Sequence, residues 1–324
     1  MNWQEVRRKL VGPAALVSAT FRDDYSLDVG ALERNVAFMV EHGIGKDTGF
    51  FIAPCGDGEY VTMSPEEHRQ VVETCVRAGG GRVPVVAGVA SNDFRVAQQL
   101  AEGARQAGAI AIMFPPPFYY PLNQDAIIDW YERLAAAVDI GIMVYDQSWR
   151  GPFVNAVIDS KTLGLLLRLP NVVAMKHSGL SDLIEEMRIL DQLGDRIAYI
   201  DSTAGYATTI AHMHGAAGFI TGTAAWWPEF ELHYWQLLQE GRYLEAEREH
   251  SRLAPFMSRF HHGAEPLLVE GFSLVAVHKA ALEYVGLAGG PVRPPFRELT
   301  NEQKKVVFDY LEKLEVPRPS AIHA

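Results

Sequence analysis

Eight short apolar runs, separated by longer amphipathic stretches from residue 12 to about 240, constrain this chain more than any other feature. They fall at 13–19, 49–53, 83–89, 110–114, 140–145, 172–176, 197–201 and 218–221. Each is rich in Val, Ile, Met and Phe and apolar at nearly every position, as parallel strands covered on both faces must be. The stretches between them carry helix signals. Ser64 precedes Pro65 and two glutamates; Asn92 is placed to cap a run reaching Ala107, which Gly108 ends. Asn123 opens a helix through Ala137, and Ser181 opens another ending near Gly194. Eight strand–helix units in series favour an α/β fold of the (β/α)8 TIM-barrel type, with a doubly wound open sheet as the competing layout.

After Trp227-Pro228 the pattern becomes purely helical, over 229–241, 243–259, 266–284 and 301–314. The Gly/Pro segment GLAGGPVRPPF separates the last two. The expected organisation is a barrel over 1–228, a C-terminal helical extension over 229–315 and a disordered tail over 316–324. A net charge of −11 argues against nucleic-acid or anionic-membrane partners, which require clustered Lys and Arg. Two cysteines, Cys55 and Cys75, imply no disulfide framework. The first ten residues lack the apolar run of a signal peptide, and nothing is long and apolar enough to span a membrane, so a soluble cytoplasmic protein is expected. Neither GxGxxG nor GxxxxGK[ST] occurs, so no nucleotide cofactor is indicated.

Barrel enzymes place their chemistry at the C-terminal ends of the strands. Lys176 ends the apolar run VVAM there, whereas Lys9, Lys46, Lys161, Lys279, Lys304, Lys305 and Lys313 fall in helices, loops or termini, where solvation explains them. A lysine at the mouth is partly desolvated, which favours the neutral amine that attacks a ketone; the alternative is a side chain snorkelling into water. Tyr145 ends the preceding run, where a phenol can shuttle protons or simply be buried with its hydroxyl satisfied. Arg150, five residues on, suits a carboxylate or an exposed loop equally. The stiff segment PPPFYYP (115–121) suits a pocket wall or a subunit contact. The glycines of CGDGE (55–59) can turn backbone N–H groups toward an anion. His212 and His214 lie two apart on a helix and do not face together, so they are not read as metal ligands.

With CGDGE followed by MSPEEH, then PVVAGV, PPPFYYP, VYDQSWRG and VVAMKHSG in order, the chain resembles the dihydrodipicolinate synthase / N-acetylneuraminate lyase family of Schiff-base barrel enzymes, from about residue 12 to 315. The resemblance implies that Lys176 forms the Schiff base and that Tyr145 moves protons. It implies that Tyr119, or a neighbour at Phe118 or Tyr120, is donated across the interface of a homotetramer. Arg150 falls where the synthases hold the carboxylate of their second substrate, and the backbone carbonyl of Ile220 lines the lysine pocket. The family loop usually reads G-T-T-G-E, its two threonines binding the keto-acid carboxylate and relaying protons. Here those slots hold Gly56 and Asp57. A glycine in the first slot, the GPVRPP segment (290–295) and the aromatic stretch before Pro228 are similar to the 5-keto-4-deoxyglucarate dehydratase branch.

The expected substrate is a small 2-keto acid, bound without metal or organic cofactor, its carboxylate held by the N–H groups of Gly56 and Asp57. A lyase acting on a 2-keto-3-deoxy sugar acid is favoured. The alternatives are 4-hydroxy-tetrahydrodipicolinate synthase, an N-acetylneuraminate-type aldolase, and a non-catalytic keto-acid binder. Asp57 fits neither loop pattern. An ionised carboxylate about 4 Å from a substrate carboxylate costs roughly 1 to 4 kcal/mol, so Asp57 turns away, is protonated, faces some other group of the substrate, or supplies an acid/base function that the missing hydroxyl cannot.

Overall fold

The computed structural model describes residues 2–45, 47–119, 121–146, 158–177, 183–203, 206–260 and 273–318. Eight parallel strands close into a barrel in chain order: β1 (Gly12–Leu16), β2 (Phe50–Ile52), β3 (Val85–Gly88), β4 (Ala111–Phe114), β5 (Gly141–Tyr145), β6 (Val172–His177), β7 (Ala198–Asp201) and β8 (Gly218–Thr221). Every expected apolar run overlaps one of them. Closure of the sheet, β1 pairing with β8, decides against the open doubly wound layout.

Helix α1 (Trp3–Arg8) precedes the barrel. The helices between strands are α2 (Val29–Glu41), α3 (Pro65–Gly79), α4 (Phe94–Gln106), α5 (Gln124–Ala137), α6 (Ser160–Leu166), α7 (Leu183–Leu193) and α8 (Tyr206–Met213). After β8 come α9 (Pro228–Gln239), α10 (Tyr243–His250), α11 (Ala254–Phe260), α12 (Leu274–Tyr284) and α13 (Asn301–Lys313). Local chemistry sets several of the ends. Ser64 and Glu67 form a reciprocal capping box on α3, as do Thr300 and Gln303 on α13. The cap of α4 is Asp93 and not Asn92. Asn92 is diverted: its side-chain oxygen accepts from the N–H groups of Phe118 and Tyr119.

Strand alternation divides the apolar residues into two layers. Leu16, Ile52, Val86, Met113, Met143, Ala174 and Ile200 fill the barrel interior, joined by Val6 and Leu10, which close its N-terminal end. Val17, Phe51, Ile112, Val144, Met175 and Tyr199 face outward onto the helices. Phe219 of β8 packs edge-on against Tyr234 and near Trp235 of α9. That helix is thus the outer cover of the eighth strand, and the expected boundary at 228 falls inside the last strand–helix unit. The long helix expected over 243–259 is interrupted at 251–253, because Pro255 has no N–H to bond back and its ring crowds the preceding turn. Residues 261–272, where the next helix was expected to begin, lie outside the described residues. The chain is still packed where a free tail was expected to start: Val316 is buried and the Arg318 guanidinium lies 4.1 Å from the centre of the Tyr284 ring. Residues 319–324 lie outside the described set. No helix among the described residues is long and apolar enough to cross a membrane.

One buried acid on α9 gives the fold a pH signature. Glu231 accepts from the Thr221 hydroxyl at 2.8 Å, and burial pushes its carboxyl up to about 7 from 4.5, against the pull of the Thr221 and Thr223 hydroxyls. Between those two values the native state keeps a proton that the unfolded chain releases, so stability falls as pH rises through that window. The stability of Glu231→Gln relative to the parent is expected to grow by about 2 kcal/mol between about pH 5 and about pH 8. Thermal unfolding of both proteins across that range measures it, and a constant difference would refute the assignment.

Candidate active site

Tyr145 and Lys176 are the last inward-facing residues of adjacent strands and are paired in register. Both are buried, with Lys176 only 8% exposed, which removes the reading of a lysine snorkelling into solvent. The Lys176 Nζ lies 4.1 Å from the centre of the Tyr145 ring. Tyr131 braces these strand ends: its hydroxyl donates to the Phe114 carbonyl at 2.5 Å and accepts from the Tyr145 N–H at 3.4 Å. The next residue on each strand points outward and forms a second buried pair, His177 Nδ1 lying 3.0 Å from Asp146 Oδ2. Ile220 sits at the third position of β8, half-buried against the barrel-interior cluster that includes Tyr145 and Cys55.

The loop after β2 brings the CGDGE segment to the same end. The N–H groups of Gly58 and Tyr60 donate to the Cys55 carbonyl, and that of Glu59 donates to the Gly56 carbonyl. Burial pushes the Cys55 thiol up to about 12; the charge of Asp57 adds to this, while the Gly58 N–H and Lys176 oppose it. Gly56 is exposed, and a Cβ built on it would meet nothing within 4 Å. The missing side chain in this slot leaves open space.

Asp57 leads to a residue that the sequence reading passed over. His278 of α12 is fully buried, and its Nε2 lies 3.7 Å from Asp57 Oδ2. The Trp226 indole N–H donates to His278 Nδ1 at 3.2 Å. An indole nitrogen can only donate, so Nδ1 accepts and the ring proton sits on Nε2, toward Asp57. Burial holds His278 down to about 4, so the ring is neutral near pH 7.

Glu59 carries a different task. It adopts a left-handed backbone (φ 58°), uncommon for a non-glycine residue, and is completely buried. Its Oε1 lies 2.6 Å from Lys279 Nζ, and its Oε2 accepts from the Arg293 N–H at 2.6 Å. The Arg293 side chain in turn pairs with Glu67 and donates to the carbonyls of Tyr25 and Thr62. Solvation does not explain Lys279: it is 2% exposed, and burial lowers its pKa against the pull of Glu59. Its partner lies 220 positions away, which is why sequence position gave it an exposed helix face.

Tyr119 is 71% exposed, on a loop whose N–H groups Asn92 holds. Arg150 and Tyr120 lie outside the described residues.

Residues 9–314 match the dihydrodipicolinate synthetase family. The chain belongs to that family. A probable 5-dehydro-4-deoxyglucarate dehydratase of Bradyrhizobium diazoefficiens is 30% identical over 309 residues, 93% of this chain and 91% of the relative. A 4-hydroxy-tetrahydrodipicolinate synthase of Methanoculleus marisnigri is also 30% identical, over 302 residues, 91% of this chain and 97% of the relative. Dihydrodipicolinate synthase from Aquifex aeolicus shares the fold, with a TM-score of 0.83 at 23% identity over 96% of this chain and 100% of that one. As a member of the dihydrodipicolinate synthetase family, the protein is a lyase of the class I aldolase type, which sets aside the non-catalytic binder.

The Glu59–Lys279 pair ties the mouth loop of this family member to its C-terminal helices. Lys279→Met leaves a carboxylate buried and unpaired and is expected to cost about 3–5 kcal/mol. Adding Glu59→Gln to that variant should recover much of the loss. Urea unfolding of the parent, single and double variants tests this; a single variant as stable as the parent would show that the pair anchors nothing.

Proposed function

We propose that the protein is a Schiff-base lyase acting on a 2-keto-3-deoxy sugar acid, with dehydration as its reaction. The observation that carries the chemistry is Lys176, buried at the C-terminal end of β6 with its Nζ 4.1 Å from the centre of the Tyr145 ring. The amine adds to the substrate C2 ketone; Tyr145 gives a proton to the carbinolamine oxygen, and water leaves to form the protonated imine. The imine makes the C3 hydrogens acidic. Asp57 accepts one of them, giving the enamine, and returns the proton to the C4 hydroxyl as the enamine expels it as water. Hydrolysis of the resulting unsaturated imine frees Lys176. A single carboxyl group thus carries the proton from C3 to the leaving oxygen, in the slot where the family's threonine hydroxyl stands.

The substrate carboxylate is held by the Gly56 N–H beside the open space above that residue, and the carbonyl of Ile220 lines the lysine pocket. Two features support dehydration over the other reactions of this enzyme class: the Gly56-Asp57 pair and a relative named as a probable 5-dehydro-4-deoxyglucarate dehydratase. A second reading, 4-hydroxy-tetrahydrodipicolinate synthase, is favoured by relatives of that name at equal identity, and there Arg150 would hold the second substrate's carboxylate. The exposed Tyr119 suits donation to a neighbouring subunit in a homotetramer.

Borohydride reduction in the presence of pyruvate, read by intact mass and peptide mapping, tests the core of this reading. A reduced adduct on Lys176, absent from Lys176→Ala, is the expected result. An adduct only with longer keto acids would mean that Gly56 and Asp57 have reshaped the carboxylate site. No adduct with any 2-keto acid would sink the mechanism.

A further inference from the structure

Asp57 stands at the barrel mouth, and His278 of α12 lies with its Nε2 3.7 Å from the Asp57 carboxylate. Between them lies Gly222, the first residue after β8. A Cβ built on Gly222 would sit 2.5 Å from His278 Cε1, 2.8 Å from His278 Nε2 and 3.1 Å from Asp57 Oδ2. The backbone of Gly222 (φ −84°, ψ −25°) is one that any residue adopts, so its conformation does not call for glycine. What calls for it is the gap through which the His278 ring reaches the Asp57 carboxylate.

The ring is held for that purpose. His278 is 1% exposed and Trp226 is 1% exposed, and the indole donates to Nδ1 at 3.2 Å. This leaves the ring proton on Nε2, 3.7 Å from Asp57 Oδ2. At that separation one bridging water, or a small movement of either side chain, completes the hydrogen bond.

We infer that His278 is a positioning residue for Asp57: fixed by Trp226 and reaching through the gap at Gly222, it orients the carboxylate and supplies the hydrogen bond that the absent threonine relay would have given. The inference rests on the proposed Schiff-base reading, in which Asp57 takes the proton from C3. During that step the C3–H bond breaks, its electron pair enters the C2–C3 bond of the enamine, and the proton passes to Asp57. The Nε2–H of His278 stays on nitrogen throughout, donating to a carboxylate oxygen before the transfer and to the carbonyl oxygen of the neutral acid after it. A hydrogen bond to one oxygen leaves the other aimed into the mouth, so the device acts on orientation more than on substrate affinity.

Deuterium exchange into the methyl group of pyruvate, followed by NMR in D₂O, reads the C3 proton transfer without knowledge of the natural substrate. His278→Leu is expected to lower the exchange kcat by about tenfold or more while KM moves by less than about threefold. His278→Gln, whose amide N–H can take the place of Nε2–H, is expected to return activity to within about threefold of the parent. In an Asp57→Asn background the further effect of His278→Leu should shrink to under about twofold, since the two residues act through one another. Gly222→Ala keeps both side chains and wedges a methyl group between them. It is expected to reproduce the kcat loss, and it serves as the second probe if His278→Leu fails to fold. Equal losses from His278→Leu in the parent and Asp57→Asn backgrounds, or a His278→Gln protein no better than His278→Leu, would overturn the inference while leaving the Schiff-base reading intact. A parent protein that neither exchanges pyruvate nor forms the borohydride adduct would overturn that reading, and this inference with it.

Discussion

Closure of the sheet between β1 and β8 is the constraint on which everything else rests. Gly12 and Gly218 face each other across that seam, and a Cβ on Gly218 would lie 2.1 Å from the Gly12 carbonyl oxygen. With no side chain in the way, the first and last strands approach closely enough to complete the ladder. A closed parallel barrel has only two ends, and here the N-terminal one is filled by Val6 and Leu10. Polar groups at the ends of the strands are thereby gathered around the other. Tyr145 and Lys176 meet because registered neighbours on adjacent parallel strands must point the same way.

The loop after β2 shows how one short segment serves several masters. Gly58, Glu59 and Tyr60 fold back on Cys55 and Gly56 through their N–H groups. Glu59 then reaches away from the mouth to Lys279 and Arg293, so the loop is fastened to α12 and to the Gly/Pro segment that follows it. What is left facing the mouth is the open space over Gly56 and the carboxylate of Asp57. A buried ion pair is weak evidence for net stability, but losing one partner is severe, so such a pair fixes register between distant parts of a chain. The conformation of the Gly56-Asp57 pair is in this sense set by residues 220 positions further on.

Much of this was legible in the sequence, and the reasons are physical. Strands covered on both faces must be apolar throughout, so all eight stood out, and a lysine ending one of them stood out further. Lys176 could be singled out because it ends an apolar strand at the barrel mouth, where the other lysines of the chain do not fall. Lys279 could not: on a helix its charge has an ordinary explanation, and only the three-dimensional structure shows Glu59 beside it. Asn92 and Asp93 are both good helix caps by residue type, and which one caps is decided by the loop at 118–119 that takes up Asn92. The break before α11 was readable in Pro255 and was overlooked in favour of a continuous amphipathic pattern. His278 gave no local signal at all, since a single histidine among Val275, Ala276, Val277 and Ala280 reads as a core residue.

That last case bears on what the C-terminal helices are for. In a barrel enzyme the strands carry the chemistry and the loops tune it, and helices added after the eighth unit would be expected to contribute stability alone. Here α12 carries two adjacent residues that turn to the same loop: Lys279 to Glu59, and His278 to Asp57. The first contact fixes the backbone of the loop, and the second reaches the side chain of Asp57. A carboxylate in place of a hydroxyl at the mouth requires a neighbour that can donate to it without bringing a second charge. A neutral buried histidine, its other nitrogen occupied by Trp226, meets that requirement.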